Sequence, residues 1–443
     1  MKLCPPPSIG GMLYLNPEQN RCFLRRFHLI FAAKNLVSRR PRKLGSPPSC
    51  VSIPYIPEPM DFSLSDHQKL IRDTIRQFME AEVRPSVAQR DRQEKFPGDE
   101  IHKLAALGCC GMMVPESWGG PGLDTISYVL MLEEVARIDA AMATALSVTN
   151  SAVQIPLLNF GSEVQKQIYL QRLATGEILG AFCLTEAQAG SDAAAIQTRA
   201  VRHDAIYKLQ GTKTWVTNGS VAGVFLVFAK TDSAAGGKGI TAFLVEPNFP
   251  GFRAGRHEEK MGQRCSPSVE IILNDCEVPM ENRLGEEGQG LKIALSALDG
   301  GRIGIAALSV GLAQGAIEEA VKYAKQRRAF GKNIADFQAI QWMLADMHME
   351  IEAARALLYQ AAWLKDAHPA RLGTVASKAK LYGSEMANRV AAKAVQIHGS
   401  VGYSRETPVE RMYRDARVLT IYEGTSEIQR MIIARDLLRS HAA

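Results

Sequence analysis

Val224-Phe225-Leu226-Val227-Phe228, Ala242-Phe243-Leu244-Val245 and Val269-Glu270-Ile271-Ile272-Leu273 are short apolar runs rich in β-branched and aromatic residues. Side chains of that shape favour a pleated, buried surface. Asn218-Gly219 and Gly236-Gly237 separate or flank the runs and supply turn chemistry. The pattern predicts a β domain over 179–284, set into a chain whose other stretches have helical spacing.

Working outward, 60–178 predicts an N-terminal helical domain. Ser65 and Gln68 have capping-box spacing, Ile71, Ile75 and Phe78 follow at helical intervals, and Pro115 with Gly119 to Gly122 marks a loop. Beyond the β domain, 285–443 predicts a helical bundle. Ile340, Leu344, Met347, Ile351, Ala354, Leu358 and Ala361 recur every three or four residues, a seam for side-by-side helix packing. Leu372 to Ile397 predicts another long helix, with Gly399 placed to end it. The fold class is mainly α with an inserted β domain.

The net charge of the 443 residues is +6, but it is unevenly spread. Residues 1–59 carry nine Lys or Arg against Glu18 and Glu58, a local +7, so the rest is close to neutral at −1. A nearly neutral body lacks the clustered basic face that nucleic-acid binding needs. The basic, Pro-rich extension 1–59, with Phe27, Ile30 and Phe31 among arginines, reads either as a transit-like peptide or as a start codon set too early. Pro5 to Pro7 interrupt a helix at the extreme N-terminus, which favours the second reading. Eight scattered cysteines without a CxxC pair point to a reducing compartment, with no disulfide framework and no metal site. The bacterial cytoplasm is favoured, or the mitochondrial matrix if the extension is a transit peptide. The longest uncharged stretch, 140–162, contains Thr144, Asn150, Gln154, Pro156 and Asn159, so a soluble protein without stable membrane insertion is expected.

No Walker loop, HExxH, GxSxG or strand-linked GxGxxG is present. Four polar, Gly-containing segments stand out instead, each open to a structural and a functional reading. Leu184-Thr185-Glu186-Ala187-Gln188-Ala189-Gly190-Ser191-Asp192 is either an interdomain turn or a small-residue cradle for a planar ligand. Lys213-Thr214-Trp215-Val216-Thr217-Asn218-Gly219 puts Trp215 and Thr217 on one side of a strand, as a core tryptophan or as an aromatic face for a cofactor. Arg327, Phe330 and Gln338 lie at a helix junction, where arginine serves a phosphate or a helix C-terminus, and Gln396 to Gly399, with His398, form another junction. In Tyr422-Glu423-Gly424-Thr425-Ser426-Glu427-Ile428-Gln429, Glu423 is either a general base over a cavity or a residue beside a helix cap.

In this order, TEAQAGSD, KTWVTNG, the Arg327 to Gln341 block and IYEGTSEIQ resemble the acyl-CoA dehydrogenase family of flavoproteins, over about Met60 to Ser440. The resemblance implies a helical domain, a middle β-barrel or sandwich and a four-helix bundle. It further implies FAD as cofactor and α,β-dehydrogenation of an acyl-CoA thioester to the trans-2-enoyl-CoA. Glu423 matches the base that removes the α-proton while a hydride goes to flavin N5; its own backbone N–H and a flavin ribityl hydroxyl hold the thioester carbonyl. Phe182, Leu184, Thr185, Gly190, Ser191, Trp215, Thr217, Thr425, Ser426 and Glu427 match flavin contacts. Arg327, Phe330, Gln338, Gln396, Gly399 and Ser400 match positions that reach the FAD of a neighbouring subunit, which implies a homo-oligomer, a dimer of dimers. Ser191, Asp299, Gly300, Gly301, Arg302 and Gly424 match substrate contacts.

Some members carry the base on the first bundle helix instead; the matching position here is Gly301, which leaves Glu423 without a competitor. The Asp299 to Arg302 run resembles short- and medium-chain enzymes, so a short- or branched short-chain substrate is expected, in fatty-acid β-oxidation or branched-chain amino-acid breakdown. Electron-transferring flavoprotein is the partner the resemblance implies. Two departures are present: Ala187-Gln188 replaces the commoner Pro-Gly, and Trp118 stands where tyrosine is usual. The competing functions are an acyl-CoA oxidase on the same fold and a non-catalytic acyl-CoA- or FAD-binding protein. A flavin monooxygenase is disfavoured by the presence of Glu423.

Overall fold

The structure is a computed structural model and describes residues 63–369, 372 and 374–440. The extension 1–59, with three of the eight cysteines, lies outside them.

The N-terminal helices are α1 (Asp66–Phe78), α2 (Val87–Gln93), α3 (Gly98–Ala106), α4 (Thr125–Ile138) and α5 (Ala140–Phe160). Ile71, Ile75 and Phe78 are the buried face of α1, as their spacing requires. Asp124 caps α4 by accepting from Ser127 N at 2.6 Å, and Asp139 caps α5 by accepting from Met142 N at 3.1 Å. The polar residues of α5 have internal partners: the Asn150 amide donates to the Cys109 and Leu146 carbonyls, and the Gln154 amide to the Cys110 carbonyl. These bonds hold the 109–113 loop against the helix.

Eight strands follow in one hydrogen-bonded sheet: β1 (Leu179–Cys183), β2 (Arg199–His203), β3 (Ile206–Thr217), β4 (Ala222–Lys230), β5 (Ile240–Val245), β6 (Phe252–His257), β7 (Ser268–Pro279) and β8 (Arg283–Leu284). The order is β6-β7-β3-β2-β4-β5-β8, with β1 parallel to β4. A single bridge, Arg199 to Lys230, joins the two halves of the path, and Tyr207, Phe225, Phe243, Val269 and Ile271 lie in one shared apolar cluster.

The bundle comprises α6 (Gly290–Gln326), α7 (Gln338–Ala367), α8 (Val375–His398), α9 (Pro408–Ala416) and α10 (Ser426–Ser440). Five of the seven α7 seam residues, Met347 to Ala361, are buried; Ile340 and Leu344 are only half-covered, because the first turns of α7 leave the bundle. Nearby Trp342 and Met349 are 65% exposed. Two helices, α5 and α6, are long and apolar enough to cross a membrane by composition, with mean hydropathies of 1.2 and 1.4. The sequence reading weighed only the first and called it too polar. What excludes both as free spans in this fold is burial: 83% and 78% of their apolar windows are covered by protein. α6 passes through several glycines unbroken because it lies almost backbone-to-backbone on α4. A Cβ on Gly311 or Gly315 would sit 2.2 Å from the Glu133 or Arg137 carbonyl.

Candidate active site

Tyr422 to Thr425 connect a short turn after α9 to α10. Glu423 and Gly424 both have positive φ, +54° and +85°, so the chain reverses sharply and drives the Glu423 side chain back into the protein. There Oε2 is shielded from solvent with no hydrogen-bond partner among the described residues. Burial pushes the carboxyl up to about 7, although the Arg302 and Lys380 charges pull the other way. A half-buried carboxylate with one oxygen shielded and unpartnered, and with that affinity for a proton, is suited to accept one near neutral pH. The alternative of a merely exposed glutamate is excluded.

Gly301 makes this placement possible: a Cβ there would lie 2.4 Å from Glu423 Oε2. One residue on, Arg302 is buried and donates to Asp299 Oδ1 at 2.6 Å, so the Asp299 to Arg302 run and the base share one place on α6. The reversed loop is held from behind. Gln429 Nε2 donates to the Glu423 and Gly424 carbonyls at 3.1 and 3.0 Å, and Lys380 Nζ donates to the Gly424 carbonyl at 2.7 Å. Sequence reasoning assigned neither a role: Lys380 has no motif signal, and Gln429 closes the IYEGTSEIQ run without being singled out. Tyr422 OH is tied to Thr144 and Gln263, each at 3.3 Å. Thr425 Oγ1 accepts from Ile428 N at 3.3 Å, so it caps α10, while Ser426 is buried and Glu427 exposed.

The 184–192 loop leaves β1 and is pinned by a buried ion pair that the sequence reading did not identify. Lys213 Nζ reaches Glu186 Oε1 at 2.7 Å and the Leu184 carbonyl at 3.2 Å. Glu186 also accepts from Gln197 N, Thr198 N and Thr198 Oγ1. Burial works against its charge, yet Lys213 and these donors bring the carboxyl down to about 2. Gln188, one of the two departures, donates to the same carboxylate at 2.7 Å. Leu184 has its side chain in the core, so only its backbone can face a ligand; Phe182 and Thr185 are half-buried, and Gly190 and Ser191 exposed.

Trp215 is not a core tryptophan. It is 58% exposed, with φ +58° at an irregularity in β3–β7 pairing, while Val216 turns into the core and Thr217 stays half-buried. The other cofactor candidates gather elsewhere. Arg327 ends α6, Phe330 tips a two-stranded hairpin (Arg328–Ala329 with Lys332–Asn333) and is 95% exposed, and Gln338 opens α7. Tyr323 stacks on His398 at 4.4 Å, which brings that junction beside Gln396, Gly399 and Ser400. His398 is thus packed in place, with Nδ1 at 2.8 Å from the Ala394 carbonyl. Among the described residues, none of these six shares a hydrogen bond or ring contact with Glu423 or Trp215, and no cluster of metal-ligating residues occurs.

Family profiles match nearly the whole described chain: acyl-CoA dehydrogenase N-terminal domain over 65–177, middle domain over 181–276 and C-terminal domain over 288–438. The chain belongs to the acyl-CoA dehydrogenase family. A short-chain-specific acyl-CoA dehydrogenase of Clostridium acetobutylicum is 44% identical over 86% of this chain and 100% of its own. A subunit of a caffeyl-CoA reductase–Etf complex from Acetobacterium woodii is 46% identical over 85% and 99%. The solved butyryl-CoA dehydrogenase of Megasphaera elsdenii superposes with a TM-score of 0.84, at 46% identity, covering 86% of this chain and 100% of that one. The acyl-CoA dehydrogenase fold expected from the motifs is therefore the fold observed.

Members of this family are FAD-dependent oxidoreductases, and this chain's residues fit the cofactor. An aromatic ring stands exposed on the β3 irregularity, and a Cβ on Gly190 would meet nothing within 4 Å, so the loop backbone there is open to a flat ligand. The buried Glu423 Oε2 lacks a partner.

Proposed function

We propose that this acyl-CoA dehydrogenase acts on short-chain acyl-CoA thioesters, with Glu423 as the base. The observation that carries the reading is the half-buried Glu423 carboxylate on a reversed loop, its Oε2 shielded and unpartnered and its carboxyl raised to about 7. In that state it removes the weakly acidic α-proton of a thioester. Bound FAD supplies the acceptor for the β-hydride. The Glu423 backbone N–H has no acceptor among the described residues and is free to hold the thioester carbonyl as charge builds on it. Trp215, Thr217, Phe182, Thr185, Gly190 and Ser191 form the flavin face in this reading.

For the nucleotide end of the substrate, a cavity of about 700 Å³ lies between Ala194, Gly237 and Lys238 on one side and Leu291, Lys292 and Leu295 at the start of α6 on the other. Its two ammonium groups suit phosphates. The short chain length rests on the names of the relatives, and electron-transferring flavoprotein as acceptor rests on the Etf-complex relative. Exposed Phe330, Trp342, Met349 and Tyr403 support a homo-oligomer that covers them and completes a cofactor site at the Arg327 and Gln396 junction. The domain bounds we adopt remain 60–178, 179–284 and 285–443.

The test is anaerobic titration of the FAD-loaded protein with butyryl-, isobutyryl-, 2-methylbutyryl-, octanoyl- and palmitoyl-CoA. Butyryl-CoA should bleach the flavin most readily. A yellow protein that none of them bleaches contradicts the reading. Reduced enzyme that reoxidises rapidly in air would favour an oxidase.

A further inference from the structure

Lys380 is fully buried on α8, yet neither a motif nor the proton transfer itself accounts for an ammonium there. Its Nζ donates to the Gly424 carbonyl at 2.7 Å. That carbonyl already has a neutral, buried donor in Gln429 Nε2 at 3.0 Å, so hydrogen-bond satisfaction does not require a charge. Burying an ammonium is unfavourable unless an opposite charge answers it. Four charged groups bear on Lys380: Glu423 from the reversed loop, Glu427 from the first turn of α10, Glu385 on its own helix and Arg302 from α6. Glu427 is exposed and Glu385 bonds Arg430 at 2.6 Å, which leaves half-buried Glu423, whose shielded Oε2 has no hydrogen-bond partner, as the remaining carboxylate; it bears on Lys380 across the Gly424 carbonyl rather than in a direct ion pair.

From the side of Glu423 the surroundings are equally specific. Arg302 on α6 and Lys380 on α8 favour its charged form, while Tyr128 on α4 and Tyr422 beside it are neutral phenols. Arg302 gives one nitrogen to Asp299 and keeps a shielded, unpartnered Nε, so it shares the task of opposing the Glu423 charge and Lys380 is the second cation, the one that also holds the loop. The Glu423–Gly424 turn is also strained: a glutamate in the left-handed region needs outside support.

We propose that Lys380 is a positioning residue for the reaction: it clamps the Glu423–Gly424 turn through the Gly424 carbonyl and acts as the buried counter-charge that keeps the Glu423 carboxylate ionised. The proposal rests on Glu423 being the base. It separates two roles that one substitution can split. Lys380→Gln keeps a donor for Gly424 and removes the charge; Lys380→Arg keeps the charge.

The experiment measures flavin bleaching by butyryl-CoA in the FAD-loaded variants from pH 5.5 to 9, with rate and half-saturation separated. In Lys380→Gln the acidic limb of the rate profile should move up by about one pH unit. Burial lowers the Lys380 ammonium itself to about 8, so the wild-type charge is present at pH 6.5 and mostly lost by pH 9; the rate should therefore fall about tenfold further at pH 6.5 than at pH 9, with half-saturation little changed. Lys380→Arg should leave the limb near its wild-type place. Should Lys380→Gln not fold, Lys380→Met removes the charge while keeping the alkyl stem. A rate loss uniform across pH with the limb unmoved, or a limb shifted equally by Arg and Gln, overturns the counter-charge role. Failure of the base assignment shows differently, as Glu423→Gln retaining wild-type bleaching.

Discussion

Gly301 on α6 and Glu423 on the reversed loop are in direct contact: a methyl group on the first would lie 2.4 Å from Oε2 of the second. The position that could carry a base on the bundle helix and the base we propose therefore point into one small volume, and only one of them can fill it. Gly301→Ala should displace the carboxylate by about 1 Å and lower the bleaching rate about 10- to 100-fold. FAD content should be unchanged, as read from the visible spectrum. A wild-type rate would mean the carboxylate is not held where the contact places it.

Protonation gives a second expectation. Since burial raises the Glu423 carboxyl to about 7, bleaching should rise with pH through that value, because the base acts only when ionised. Stability should run the opposite way. A carboxyl whose folded pKa is raised contributes fully below its unfolded value near 4.5, and that contribution is lost as pH rises through about 7. Glu423→Gln should therefore melt higher than wild type at pH 8, by up to a few kcal/mol of stability, and show little difference at pH 4.5. Equal melting temperatures at pH 8 would contradict a buried carboxylate.

The Lys213–Glu186 pair predicts a loss that is structural first. Lys213→Met leaves the Glu186 carboxylate buried without its cation, at a cost of about 3–5 kcal/mol. The loop 184–192 should loosen and FAD should dissociate more readily. The double variant Lys213→Met with Glu186→Met should recover much of the melting temperature. If the double variant melts no higher than the single one, an unpaired charge is not the cause.

Gln188 replaces a commoner glycine and adds one hydrogen bond to the same carboxylate. Gln188→Gly should cost about 1 kcal/mol of stability and weaken FAD retention slightly, measured by cofactor release on dilution. A tighter FAD complex in that variant would show the departure to be a burden rather than a clamp.

What the sequence shows and what it hides follow from distance along the chain. The runs at 224–228, 242–245 and 269–273 lie within β4, β5 and β7 because local pattern is enough to mark a buried strand. The 37-residue continuity of α6 was hidden, since Gly301, Gly304, Gly311 and Gly315 look like helix breakers until α4, α5 and Glu423 are seen lying against them. Glu423 was legible through its neighbours in the IYEGTSEIQ run. The holding roles of Lys380 and Gln429 were not: a lysine among alanines carries no signal, and Gln429, although it ends that run, gains a role only when the fold puts both behind Gly424. The exposure of Trp215 likewise depends on an irregularity in β3 pairing that no propensity predicts.

The most direct test of the central claim is the anaerobic reaction of Glu423→Gln with butyryl-CoA, beside wild type. The substitution keeps shape and removes the proton acceptor. The variant should purify yellow, bind the thioester with nearly wild-type affinity, and bleach at least a thousandfold more slowly. Bleaching at a rate near wild type would show that another group takes the α-proton and that the buried carboxylate opposite Gly301 is not the base.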